Sequence, residues 1–100
     1  MIRRIPLPHP GAILKEEFLE PMNLSIYAAA KAINVSRSRL NDICRGRHGI
    51  SADRALRLGR RFGVDPQWFL NMQAKFDQET QAGEPGARQR AAIRPLPEGA

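Results

Sequence analysis

Arg37, Arg39, Arg45 and Arg47 stand together in "NVSRSRLNDICRGRHG", residues 34–49, with Ser38, Asn41 and Asp42 between them. Each arginine carries a planar fork of donors that fits phosphate oxygens or the edge of guanine. Asn41 can pair two-fold with adenine, and Asp42 can accept from cytosine or orient Arg39 or Arg45. Leu40 and Ile43 interrupt the polar run at helical spacing, so one side of the segment is built to be buried. A second chemistry is also on offer. Asp42, Cys44 and His48 resemble part of a metal set, but one Cys and two His in the whole chain leave a closed zinc site short of ligands. Cys44 is therefore read as a small, half-buried helix residue, and His48 as facing a phosphate or a backbone carbonyl. No nucleophile elbow, phosphate-binding loop or paired carboxylates occur, so neither an enzyme nor a cofactor is expected.

The charge distribution sharpens the first reading. The net charge is +6, with 16 basic and 10 acidic residues. Residues 36–61 hold eight arginines against Asp42 and Asp53, a local excess equal to the whole. A field focused in this way attracts polyanions.

The flanking sequence supplies elements to carry this segment. "GAILKEEFLE" predicts a first helix with Ile13, Leu14, Phe18 and Leu19 inward, ended by Pro21. Ser25 caps a second helix, rich in alanine up to Ala32, and Asn34 tolerates the left-handed conformation that ends it. Ser36 caps the third helix, residues 37–46. Ser51 caps the fourth, residues 52–62, whose apolar positions Ala55, Leu58, Gly59 and Phe62 precede a terminating Gly63. Asp65 and Pro66 open the fifth as cap and first helical residue. His9, before Pro10, fixes the start of the first helix. No alternating strand pattern competes, and the expectation is an all-α domain of five helices.

The second and third helices meet at a tight turn, which is the requirement of a helix-turn-helix. Ala30 is small where the helices cross. Leu40 and Ile43 anchor the third helix, and Ile33 and Val35 pack about the turn. In that geometry the start of the third helix enters the major groove of DNA. Arg37, Ser38, Asn41 and Asp42 are then the candidate base contacts, and Arg39 meets either base or phosphate. Ser25, Tyr27, Arg45, Arg47 and His48 are candidate phosphate contacts that position the duplex. Arg54 and Arg57 extend the phosphate track, whereas Arg60 and Arg61 face it, solvent or a partner.

Beyond these helices, "HPGAILKEEFLEPMNLS", "AAAKAINVSRSRLNDICRGRHGISADRALRLGRRFG" and "PQWFLNMQAKFD" resemble the HigA-type antitoxins, within the helix-turn-helix proteins of the Cro and phage-repressor type. The resemblance spans about residues 9–78. It implies a lambda-repressor-like domain and a homodimer that binds a palindromic operator and represses its own operon. It also implies a protein partner, a HigB-type toxin that cleaves mRNA on the ribosome. A stand-alone transcriptional regulator without a toxin shares the same fold and is the alternative. A toxin-inhibiting module whose basic face is incidental is the more distant one.

Trp68, Phe69, Met72 and Phe76 form a stripe on the fifth helix, mostly core and in part a dimer interface. A two-fold dimer would set two recognition helices about 34 Å apart, in successive major grooves. The expected domains are an extended basic arm over residues 1–9, carrying Arg3 and Arg4, a DNA-binding domain over 10–80, and a disordered tail over 81–100. The arm either touches DNA or is frayed. Neither a signal peptide nor a membrane helix is evident, and a cytoplasmic location is expected.

Overall fold

The computed structural model describes residues 7–83 and 86–97. Among these it is all helical: α1 (Pro10–Leu14), α2 (Ile26–Ile33), α3 (Arg37–Cys44), α4 (Ala52–Phe62), α5 (Pro66–Ala82) and α6 (Ala87–Ala91). Arg3 and Arg4 lie outside the described residues.

Local chemistry explains most boundaries. The hydroxyls of Ser25, Ser36 and Ser51 accept from the backbone N–H groups of Ala28, Arg39 and Arg54 at 3.0, 3.1 and 3.3 Å. The Asp65 carboxylate does the same for Gln67 at 2.9 Å, with Pro66 at the first helical position. Each cap satisfies an N–H that the helix itself leaves unpaired. The His9 ring caps α1, Nδ1 accepting from Gly11 N–H at 2.9 Å. Asn34 and Gly63 end α2 and α4 in the left-handed region, with φ of 59° and 70°.

The first helix departs from the expected regular form. From Lys15 to Leu19 it widens into a π-turn, in which Glu20 N–H reaches back to the Lys15 carbonyl at 2.9 Å. In a regular helix Leu14 and Leu19 would point about 140° apart. The wider turn lets both face inward, at 0% and 2% exposure.

The core gathers one face of each of the first five helices. Leu14 and Leu19 meet Ala29, Ala30 and Ile33 from α2, Leu40 and Ile43 from α3, Ala55 and Leu58 from α4, and Phe69 from α5. Burying one large side chain of this kind contributes about 1.5–3 kcal/mol, so the mutual support of the helices outweighs any single cap. Phe18 sits at the edge of this cluster, its ring 5.2–5.8 Å from those of Phe62, Trp68 and Phe69.

The C-terminal part holds a short helix that the sequence reading omits. α6 is exposed throughout and is tied to the end of α5 through Arg90, which donates to the Gln81 carbonyl. Ile93 and Leu96 beyond it are 70% and 83% exposed.

Candidate nucleic-acid interface

The turn between α2 and α3 sets the direction of α3. With Asn34 left-handed, Val35 N–H closes back on the Ala30 carbonyl at 3.0 Å. This six-residue loop satisfies a carbonyl that the helix end would otherwise leave open. Ala30 is buried at the crossing, as expected.

A second fastening comes from α4 and is absent from the sequence reading. Arg57 Nη1 donates to the carbonyls of Ile33 and Asn34 at 3.1 and 2.9 Å, while its Nε donates to Asp53 at 2.8 Å. Arg57 therefore holds the turn, a role that the expected phosphate track leaves out. The Asp53–Arg57 spacing of four signals the ion pair, but nothing local signals the reach to the turn.

α3 is thus clamped on one side and open on the other. Leu40, Ile43 and Cys44 are buried. Ser38, Asp42 and Arg45, spaced by four and three, run down the opposite side. Arg37, Ser38, Arg45, Arg47 and His48 are exposed, and Arg39, Asn41 and Asp42 are half-buried. Ser25 and Tyr27 begin α2, and the Tyr27 side chain is well exposed.

The charged side chains pair differently from expectation. Asp42 reaches Arg47 at 3.5 Å rather than Arg39 or Arg45. Arg47 is well exposed and Asp42 only half-buried, so this pair orients Arg47 more than it stabilises the fold. Arg39 instead meets His48, with Nη1 2.8 Å from Nδ1. His48 therefore faces a guanidinium in the free protein. Arg54 lies at the start of α4, its Nη1 donating to Ser51 Oγ at 3.2 Å.

The loop after α3 is held from α5. Ile50 N–H donates to Gln73 Oε1 at 2.8 Å, and Gln73 Nε2 donates to Asp77 at 3.0 Å. His9 stacks edge-on against Phe76, ring centroids 4.8 Å apart, and borders Gly46. His9 and α5 thus converge on the loop that carries Arg47 and His48.

The α5 stripe needs one correction. Phe69 is 0% exposed and belongs wholly to the core, so it has no surface to give a second subunit. Met72 packs against that core, and Phe76 is engaged with His9. Trp68 keeps 41% of its surface exposed. Met22, Tyr27 and Leu56, at about 60% exposure each, are large outward apolar residues that the helical pattern does not separate from core positions.

Burial pushes the Cys44 thiol up, with Lys15 opposing in part. A protonated thiol is a poor ligand and nucleophile. No group of three or more His, Cys, Asp or Glu among the described residues is placed to hold a metal ion.

A helix-turn-helix family profile matches residues 15–69, which take in the turn, both clamped helices and the start of α5. The chain belongs to the helix-turn-helix family. Among curated relatives it is similar to virulence-associated protein I of Dichelobacter nodosus, 58% identical over 73% of this chain and 68% of that protein. Solved helix-turn-helix structures agree along nearly the full length. PA4674 of Pseudomonas aeruginosa, solved with its operator DNA, is 41% identical with a TM-score of 0.84, over 96% of this chain and 100% of that one. Antitoxin HigA of the same organism, solved with the higBA promoter, is 42% identical with a TM-score of 0.84, over 89% of this chain and 97% of that one. The resemblance to HigA-type antitoxins therefore holds in three dimensions. No described helix of this helix-turn-helix chain is long and apolar enough to cross a membrane.

Proposed function

We propose that this chain is a sequence-specific DNA-binding antitoxin that represses its own operon and neutralises a HigB-type toxin. The observation that carries the reading is the open face of α3. Arg37, Ser38, Asn41 and Asp42 lie on or beside it, while Leu40, Ile43 and the Arg57-clamped turn hold the other side. A helix fastened in this way can enter the major groove without deforming the domain, and its four polar side chains match the donors and acceptors of base edges.

Arg37, Ser38, Asn41 and Asp42 contact bases. Ser25, Tyr27, Arg45, Arg47 and His48 meet phosphates on either side and fix the register. The chain acts as a homodimer in the cytoplasm, and Trp68 is the large apolar residue of α5 with exposed surface to offer a second subunit. Two-fold symmetry in the protein then asks for a palindromic operator. The solved relatives named for antitoxin activity and seen with promoter or operator DNA support this reading for the fold as a whole.

Co-expression with the neighbouring gene, followed by purification and binding to the upstream DNA, tests it. A small basic protein that co-purifies, whose toxicity the chain relieves, is the expected result. Operator binding without any such partner would leave a stand-alone repressor.

A further inference from the structure

We propose that His48 positions Arg39 for sequence readout, so that one base preference of the DNA surface depends on a side chain in the loop beyond α3. The inference rests on the reading that α3 meets DNA. Arg39 Nη1 lies 2.8 Å from His48 Nδ1. A guanidinium has only donors and keeps its charge, so Nδ1 must supply the lone pair. The ring proton then sits on Nε2, on the far side of the ring. One imidazole thus accepts from Arg39 and still presents a donor of its own.

The choice of partner matters. A carboxylate would hold an arginine more tightly but would offset the charge meant for the DNA, as Asp42 does in part for Arg47. A neutral imidazole fixes the guanidinium and leaves its charge intact. Free Arg carries about 2 kcal/mol of rotamer entropy, and a partner already in place reduces what binding must restrict. The backbone helps as well, because Ser36 Oγ accepts from Arg39 N–H at 3.1 Å and fixes the start of the helix. With one Nη1 hydrogen engaged, the remaining edge of the fork is available for the two acceptors of guanine. Among the described residues, no side chain holds Arg37 or Arg45 in this way.

The experiment is enrichment from a pool of duplexes randomised across one operator half-site. The parent chain is compared with Arg39→Ala, His48→Ala, His48→Asn and the double Arg39→Ala/His48→Ala variant. Arg39→Ala and His48→Ala are expected to flatten the preference at the same base position, about five- to tenfold each. The double variant should flatten it no further, because the two act as one unit. His48→Asn, whose side-chain oxygen can stand near the lost Nδ1, should keep most of the preference. His48 is exposed and Arg39 lies outside the core, so these variants should fold, which circular dichroism verifies. The proposal is overturned if His48→Ala weakens every sequence alike with preferences intact, or if the double variant is additive. A parent chain that enriches no sequence would instead overturn the DNA-binding reading, and the positioning role with it.

Discussion

Gly11 lies directly against the carbonyl of Ile43: a side-chain carbon at Gly11 would stand 1.6 Å from that oxygen and 2.5 Å from its carbon. The start of α1 and the end of α3 are thus in backbone contact, and only glycine permits it. This contact seats the far end of the recognition helix, as the α2–α3 turn seats the near end.

Gly11→Ala should therefore be costly. Backbone, not a flexible side chain, would have to move, which puts the loss at the upper end of the roughly 1–3 kcal/mol typical of overpacking, or beyond. Urea unfolding measures it. A change under about 0.5 kcal/mol would show that α1 can slide away from α3 freely.

Arg57 gives a prediction that separates structure from DNA contact. Removing it leaves the Ile33 and Asn34 carbonyls without their donor. The site is partly exposed, so Arg57→Ala should cost about 1–2 kcal/mol in urea unfolding. The salt dependence of DNA binding should stay as in the parent. A shallower salt slope with unchanged stability would return Arg57 to the phosphate track.

His9 links stability to pH. Burial lowers its pKa below the ordinary value of 6.5, with Asp77 opposing in part. Proton uptake would also remove the lone pair that caps Gly11. The unfolded chain therefore binds the proton first as pH falls. Stability is fully present above about 6.5 and declines below it towards the lowered folded value. His9→Asn, which keeps a capping acceptor but does not titrate, should flatten that decline in unfolding curves taken between pH 7.5 and 5. Parallel curves for parent and variant would remove His9 as a source of the pH dependence.

The parts that proved readable in the sequence are the local ones. Ser25, Ser36, Ser51 and the Asp65–Pro66 pair announce helix starts because a cap involves only neighbours in the chain. Asn34 announces the turn for the same reason. What stayed hidden depends on side chains far apart in sequence. Trp68 and Phe69 are adjacent and similar in kind, and the neighbouring helices, with Phe18 beside both rings, decide that Phe69 is enclosed and Trp68 half open. Arg57 and Arg39 look alike as basic helix residues, yet one reaches the turn between two other helices and the other a histidine across a loop. The π-turn at Lys15–Leu19 is likewise set by the need to bury both Leu14 and Leu19, which the regular helical period does not reveal.

The central claim, that the outer face of α3 reads DNA, is tested most directly by titrating Arg37→Ala and Arg45→Ala against the upstream palindrome and a scrambled duplex over a salt series. Arg37→Ala should lose about 1–3 kcal/mol on the palindrome and far less on the scrambled sequence. Arg45→Ala should weaken both duplexes alike, with the slope of log K against log salt shallower by about 0.9. If both variants bind both duplexes as the parent does, α3 is not the element that meets DNA.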